Sequence, residues 1–301
     1  MKILRRLALV TDLVAFVVVM LGSWTRINAA GLTCPDWPMC RHSLFPNMVG
    51  GTVWEWTHRL LAFSLLPLIL AVCAVAWQHR RRSPFLLPAS IVIAALFLVQ
   101  IGLGDATVRL SNAPFSVVVH WGTAMALIAA LAALAIFAGP PTLDPMRTPW
   151  ILPVALGTTA FIAFVTMCVG AYVSSSGAGL ACLSIPGCAG DVVVYTTGQV
   201  VQMLHRLAAA ATLLCAAGAF ALCWTNAASA RVRAAVTTGL LLVFIQVILG
   251  LLNVVLRLPT DLREVHAANA ALVFLAFVTA AAFSLRDAGI AERAQREPSA
   301  S

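Results

Sequence analysis

The sequence predicts an all-α polytopic membrane protein, with eight transmembrane helices arranged as two pseudo-symmetric four-helix bundles. Three observations support this prediction: an apolar composition, long apolar runs and an internal repeat. Of the 301 residues, 61% are hydrophobic and 10% are charged, whereas about a quarter of the residues in a soluble domain are charged. The apolar runs do not alternate with polar residues, as the strands of a membrane β-barrel would.

Eight apolar segments are each long enough to cross a bilayer as a helix, which requires roughly 20 residues. They cover residues 7–24, 53–77, 85–104, 115–138, 150–173, 196–223, 232–256 and 265–285. They leave almost no sequence for a soluble domain. The first segment follows a basic N-terminus, as a secretory signal does. We expect it to be retained, because Asp12 interrupts it and because 150–173 is its counterpart.

The distribution of positive charge predicts the orientation in the membrane. With the N-terminus in the cytoplasm, twelve Lys and Arg residues fall on the inner side and five on the outer side. The inner set is Lys2, Arg5, Arg6, Arg80, Arg81, Arg82, Arg147, Arg231, Arg233, Arg286, Arg293 and Arg296, and the outer set is Arg26, Arg41, Arg109, Arg257 and Arg263. This bias predicts that both termini lie in the cytoplasm, and we expect the protein in the cell (plasma) membrane. The net charge of +8 therefore reflects topology and does not indicate nucleic acid binding.

An internal repeat divides the chain into two halves. The Gly-Leu-x-Cys segment at 31–34 recurs at 179–182, and the His-Arg-Leu segment at 58–60 recurs at 205–207. Offsets of 146–148 residues also relate Pro38 to Pro186, Cys40 to Cys188, Gln100 to Gln246, Gly104 to Gly250 and His120 to His266. We predict an N-terminal bundle at 1–138, a cytoplasmic linker at 139–149, a C-terminal bundle at 150–285 and a cytoplasmic tail at 286–301. Each half has an even number of helices, so a pseudo-two-fold axis along the membrane normal relates them.

Four of the six histidines lie at repeat-related positions near the predicted outer ends of helices. They are His58 and His120 in the first half and His205 and His266 in the second. Ionisable residues inside membrane segments are costly, so their presence indicates function. Two imidazoles on facing helices suit bis-histidine ligation of a haem iron, and we predict one such site in each bundle. The alternatives are hydrogen-bonded core histidines or a zinc site, which would need three or four converging ligands.

Glu55 breaks the symmetry between the halves. It precedes His58 by three residues and shares its helix face, whereas the aligned residue in the second half is Gln202. Placing a carboxylate at the membrane edge costs more free energy than placing an amide there. This difference indicates that the first bundle carries out a reaction and that the second holds a haem for electron transfer. We predict that Glu55 is catalytic, as a proton acceptor or charge stabiliser. The alternative is a structural carboxylate paired with Arg59 or a loop arginine.

Two cysteine pairs occupy the predicted outer loops, Cys34 with Cys40 and, at equivalent positions, Cys182 with Cys188. An oxidising compartment permits the disulfides Cys34–Cys40 and Cys182–Cys188. The alternative is a pair of redox-active cysteines, which would need an exposed and strained bond.

Arg59 and Arg206 each follow the histidine of their helix. They could contact haem propionates through charge-assisted hydrogen bonds. They could equally be topological anchors or, for the first half, partners of Glu55.

Taken together, these residues resemble the haem A synthase family. The resemblance rests on GLTCPDWPMC at 31–40, EWTHR at 55–59, His120-Trp121, His205-Arg206 and His266. It covers all eight helices and includes cysteine pairs in both large outer loops. It implies an oxidoreductase that converts haem O to haem A for terminal oxidases, through two successive oxidations of the C8 methyl group to a formyl group.

The resemblance also implies roles for individual residues. His205 and His266 become the axial ligands of a haem b cofactor, His58 and His120 the ligands of the substrate haem O, and Glu55 the important glutamate of the family. The implied partners are haem O, the haem O synthase (protohaem farnesyltransferase) and a membrane electron donor of unknown identity. The residues alone also fit a two-haem, quinol-linked b-type electron carrier, or a haem transporter or chaperone. Glu55 argues against a simple carrier, which needs no carboxylate at one haem.

Overall fold

The computed structural model describes residues 1–81, 83, 85–140, 149–188 and 194–296. These residues form eight long α-helices and a short 3-10 helix, without a β-strand. The helices are α1 (Lys2–Ile27), α2 (Gly51–Gln78), α3 (Leu86–Arg109), α4 (Pro114–Phe137), α5 (Ile151–Ser175), α6 (Thr197–Thr225), α7 (Ala230–Val255) and α8 (Thr260–Arg296), and the 3-10 helix Ala178–Leu180 follows α5. All eight α-helices are long and apolar enough to cross a membrane. The predicted fold class, a polytopic all-helical membrane protein, is confirmed.

Local sequence signals explain where several helices begin. Pro114 opens α4, because its fixed φ suits the first helical turn. A capping box precedes α6, in which the Thr196 hydroxyl accepts from the Gln199 amide and the Gln199 side chain accepts from the Thr196 amide.

The last helix is longer than predicted. It begins at Thr260 and continues to Arg296, beyond the expected boundary at 285. The residues after 285 include Ala, Glu, Gln and Arg, which favour helix, and the first proline after 285 is Pro298. Residues 141–148 of the predicted linker, Arg82 and residues 297–301 of the tail lie outside the described residues.

Each half forms a closed ring of four helices. In the first half, α1 packs against α2 and α4, and α3 packs against α2 and α4; α5–α8 repeat this pattern in the second half. Between the halves, α4 contacts α8, and the contact of α4 with α5 is matched by that of α8 with α1. Exchanging the halves maps the α4–α8 contact onto itself and the α4–α5 contact onto the α8–α1 contact, as a pseudo-two-fold axis requires.

A continuous apolar core runs through both bundles and includes fully buried Ile128 of α4 and Phe277 of α8. Large apolar side chains also cover the outside of the molecule, among them Phe161 and Leu214, which are 65% and 73% exposed. Such extensive exposed apolar surface is unfavourable in water, and it is expected where the surroundings are lipid.

Candidate functional site

The four repeat-related histidines lie inside their bundles, and the two of the second half are close together. The ring centroids of His205 on α6 and His266 on α8 are 6.5 Å apart, with ring planes at 75°. A metal ion between two imidazoles, with bonds of about 2 Å on either side, separates the ring centres by about 6 Å. The spacing of this pair therefore suits an iron atom between the rings. Within the described residues, no group of three His, Cys, Asp or Glu has the geometry to bind a metal.

A backbone carbonyl fixes one ring nitrogen of the histidine on the second helix of each half. His58 Nδ1 is 3.0 Å from the Val18 carbonyl oxygen, and His205 Nδ1 is 3.2 Å from that of Thr166. The two carbonyls are themselves 148 residues apart, so the arrangement is part of the repeat. A hydrogen bond from Nδ1 orients the ring and leaves Nε2 available as a metal ligand.

Glutamine side chains contact the histidine on the fourth helix of each half. Gln100 Nε2 lies 3.1 Å from His120 Nδ1 and 3.3 Å from its Nε2, and Gln246 Nε2 lies 3.2 Å from His266 Nε2. Within the described chain, His266 Nδ1 and Gln100 Oε1 are buried without a hydrogen-bond partner. Buried polar atoms normally have hydrogen-bond partners. One such atom lies at the histidine pair of each half, which is consistent with a ligand that supplies a polar group at both places.

A glycine on the neighbouring helix packs against each histidine ring. A Cβ atom would lie 2.7 Å from the ring of His58 at Gly22 and 2.8 Å from the ring of His205 at Gly170. At Gly104 and Gly250 it would lie 3.6 Å from His120 and 3.3 Å from His266. The sequence analysis did not identify Gly22 and Gly170 as contacts of the histidines. The two glycines are 148 positions apart, which is the offset that relates the two cysteine loops. At Gly22 and Gly170, only glycine allows the histidine ring to approach the adjacent backbone so closely.

The first bundle contains a pocket between α1, α2, α3 and α4. It encloses about 1350 Å³ between its walls when its open mouth is included. His58, His120 and Glu55 line it, together with Arg26 of α1 and Trp37 of the first cysteine loop, and most of the remaining lining is apolar. Arg59 lines it too, so the structure brings four of the predicted site residues of the first half to one cavity.

Glu55 and Arg59 of α2 anchor the first cysteine loop through hydrogen bonds. Glu55 Oε2 accepts from the Thr33 hydroxyl at 2.9 Å and from the Cys34 amide at 2.8 Å, while its Oε1 accepts from Arg59 at 2.6 Å. The remaining terminal N–H groups of Arg59 donate to the carbonyls of Cys34, Asp36 and Met39. Both side chains are buried, so the ion pair is shielded from water.

Gln202 and Arg206 hold the second loop in the same way without a negative charge. Gln202 Oε1 accepts from the Cys182 amide at 2.6 Å, and its Nε2 donates to the Gly179 carbonyl at 2.9 Å. Arg206 donates to the carbonyls of Cys182, Ser184, Pro186 and Gly187.

The contacts of Arg59 and Arg206 with haem propionates remain a prediction, and both side chains already have other partners in the structure. Both guanidinium groups are engaged by loop carbonyls, and the alternative pairing of Arg59 with Glu55 is the one present. The sequence could not distinguish these roles, because a guanidinium group can donate to either a carbonyl or a carboxylate.

The cysteine pairs are disulfide-bonded within their loops. Cys34–Cys40 and Cys182–Cys188 each have a Cα–Cα distance of 4.5 Å. All four cysteines are fully buried. A redox-active bond must be accessible to its partner, so their burial favours the structural role.

Asp36 adds further hydrogen bonds to the first loop. Its carboxylate accepts from the amides of Arg41 and His42. Loss of contact with water raises the pKa of Asp36, but the hydrogen bonds from these amides outweigh this effect and lower it below its usual value. Both loops also contain a cis peptide bond before the repeat-related prolines Pro38 and Pro186.

Polar contacts join the two bundles beside the histidine sites. Ser23 of α1 donates to Glu264 of α8 at 2.7 Å. Arg26 of α1 donates to the Ser174 hydroxyl of α5 at 3.1 Å. Ser23 follows the glycine that packs on His58, and Glu264 precedes His266 by two residues, so these contacts connect the surroundings of both histidine pairs.

Comparison with known proteins decides the family. The model of the COX15-CtaA family, described as cytochrome oxidase assembly protein, matches residues 5–50 and 47–278. The chain belongs to this family. The match reaches across both bundles of this COX15-CtaA member and includes both histidine pairs.

Individual relatives agree with this assignment. A haem A synthase of Shewanella oneidensis is 28% identical over 314 residues, which cover 90% of this chain and 93% of the relative. A haem A synthase of Bacillus pumilus is 27% identical over 220 residues, which cover 68% of this chain and 70% of the relative. A protohaem IX farnesyltransferase of Halobacterium salinarum is 34% identical over 131 residues, which cover 43% of this chain but only 28% of the relative.

Proposed function

We infer that this chain is a haem A synthase, an integral membrane oxidoreductase that converts haem O to haem A. Its family and its likeness to haem A synthases over almost its whole length support this function. The observation that carries the proposal is the combination within one chain of a histidine-lined pocket and a second histidine pair at the spacing of two axial ligands.

We assign the second bundle to a haem b cofactor with His205 and His266 as axial ligands. The ring spacing of 6.5 Å suits an iron atom, and the Thr166 carbonyl leaves Nε2 of His205 available. A bound haem b would supply one-electron redox chemistry. The chain contributes the orientation of both rings and an apolar surrounding, which together influence the reduction potential of a haem.

We assign the first bundle to the substrate haem O, with His58 and His120 as its ligands. The C8 methyl group is then oxidised in two successive steps, each of which removes two electrons. The first step replaces a C–H bond with a C–O bond to give a hydroxymethyl group. The second replaces another C–H bond of that carbon with a C–O bond, and the resulting geminal diol loses water to leave the formyl group. The oxidant and the membrane electron donor come from outside the chain.

We propose that Glu55 serves this reaction at the wall of the pocket. Its carboxylate lines the same cavity as His58 and His120. It can hold a proton released from the methyl carbon or offset positive charge that develops there. Its hydrogen bonds with Thr33, Cys34 and Arg59 fix its position and limit its motion.

The proposed reaction indicates its partners. Haem O is amphipathic, and its farnesyl-derived tail keeps it in the membrane. A haem O synthase (protohaem farnesyltransferase) that releases it nearby is therefore the expected supplier. Part of this chain resembles a protein of that name.

We place the chain in the plasma membrane with both termini in the cytoplasm and both cysteine loops outside. The positive-inside rule supports this orientation. A reporter fused after Ser301 should therefore behave as cytoplasmic. An active alkaline phosphatase fusion at that position would contradict the orientation.

Pigment extraction from cells tests the function. Cells that make this chain together with a haem O-forming farnesyltransferase should accumulate haem A, and cells without the chain should accumulate haem O. An electron carrier would leave haem O unchanged and would purify with haem b alone. A transporter would purify with unmodified haem O. Absence of haem A from cells with folded, haem-loaded protein would overturn the proposal.

A further inference from the structure

We propose that Arg26 binds a carboxylate of the substrate in the first pocket, namely a haem propionate. This inference rests on the proposed function, and it assigns to Arg26 the contact that the sequence suggested for Arg59 and Arg206. It adds a residue that determines how the porphyrin is oriented relative to His58 and Glu55.

The position of Arg26 suits this role. It belongs to the last turn of α1 and lines the same pocket as His58, His120 and Glu55. In the described part of the chain, its one hydrogen bond is the 3.1 Å contact from Nη2 to the Ser174 hydroxyl. A guanidinium group has five N–H donors in a planar fork, so most of its donors are available to a carboxylate.

The other arginines beside the histidine sites are already engaged. All four terminal N–H groups of Arg59 have acceptors, in Glu55 and three loop carbonyls. Arg206 donates to four carbonyls of the second loop. Arg26, with one hydrogen bond, therefore has more unused donors than either of these two residues.

The charged groups around Arg26 have a net positive charge that one more anion would neutralise. Its charged neighbours are Arg263 and Glu264, and Glu264 also accepts a hydrogen bond from Ser23. Two cations and one carboxylate give the cluster a net charge of +1. A propionate would neutralise it, and a charge-assisted pair in a site shielded from water is stronger than one at a surface.

A binding titration on the purified full-length protein tests the role of Arg26. Ferric protohaem and its dimethyl ester, which lacks the carboxylates, serve as probes, and absorbance spectra report binding. Subtracting the signal of the H58A variant isolates the first pocket. We expect R26Q to weaken protohaem binding roughly tenfold or more, as loss of hydrogen bonds to a charged group predicts. Binding of the dimethyl ester should be the same in both proteins, and R26K should retain part of the preference.

Two control variants separate charge from packing. S174A removes the hydrogen bond to Arg26 but keeps the cation, and R109Q removes a cation from the exposed Arg109–Asp105 pair at the end of α3. Both should bind protohaem like the unaltered protein. If S174A reproduces the R26Q defect, or if R26Q weakens both probes equally, Arg26 acts through packing and the inference is overturned. If neither probe shows saturable binding that depends on His58, the assignment of the substrate site itself fails.

Discussion

The two cysteine loops are anchored by the same contacts but carry different charges. In each loop, an acceptor oxygen on the second helix of the half binds the amide of the first cysteine, and an arginine one turn later binds the loop carbonyls. The oxygen belongs to a carboxylate in Glu55 and to an amide in Gln202. Because Gln202 holds its loop without a charge, anchoring alone does not require the carboxylate. The comparison indicates that the charge of Glu55 serves another purpose, and the pocket beside it is the candidate.

The largest expected difference between the halves concerns their histidines. H205A or H266A should remove the haem proposed for the second half, because each residue would supply one of its axial bonds. H58A and H120A should retain that haem but abolish haem A formation. Absorbance spectra of the purified variants and pigment extraction measure the two outcomes. Unchanged haem content in both H205A and H266A would rule out the second-half assignment.

Exchanging the acceptor side chains tests the charge difference directly. E55Q should retain the second-half haem, but its rate of haem A formation should fall roughly 10²–10⁴-fold, the usual effect of losing a general base. The reciprocal variant Q202E should form haem A normally, since its new carboxylate can pair with Arg206 one turn away. Pigment extraction with haem O present gives the rates.

Because E55Q also leaves Arg59 without its carboxylate, a thermal melt must accompany the assay. Wild-type haem A formation by E55Q would show that the asymmetry is structural. If E55Q and Q202E lost the same activity, the two halves would not differ in chemistry.

Removing each disulfide should have a smaller effect. C34S and C182S should each lower the free energy of unfolding by about 2–3 kcal/mol, since a closed loop is released. C34S should also reduce haem A formation more than C182S does, because residue 34 contacts both Glu55 and Arg59. Thermal melts and pigment extraction check both effects. A C34S protein that is stable and haem-loaded but fully inactive would instead support a redox role.

The smallest effects are expected at the glycines that pack on the histidine rings. G22A should disturb the substrate site and G170A the resident haem, each at a cost of about 1–3 kcal/mol, because the new Cβ would overlap the ring. G102A and G218A are matched controls on α3 and α6, since a Cβ there meets no atom within 4 Å. Shifted absorbance bands in G22A and G170A, but not in the controls, are the expected result.

The sequence predicted the eight helices because apolar runs and turn residues are local signals. The sequence did not predict where α8 ends, because the residues after 285 suit a solvated tail and a helix equally well. Repeat offsets identified the histidine pairs, since related positions in two similar bundles occupy similar environments. The pairing of Arg59 with Glu55 was one of the predicted alternatives. The loop carbonyls that accept from Arg59 could not be predicted, because they depend on where a loop folds back over the helix. Gly22 and Gly170 were missed because glycine is common in membrane helices, and only the packing of two helices shows which glycine matters.

The contact between Arg26 and Ser174 has a consequence for how the two halves could have originated. These residues are 148 positions apart, the offset that relates the two cysteine loops, so each is the repeat counterpart of the other. Counterparts that touch must lie beside the pseudo-two-fold axis. In a symmetric dimer of separate four-helix chains, a residue at this place would meet its own copy, and two arginines would repel each other in surroundings of low dielectric. Fusion into one chain removes that restriction and allows a single positive charge to lie on the axis.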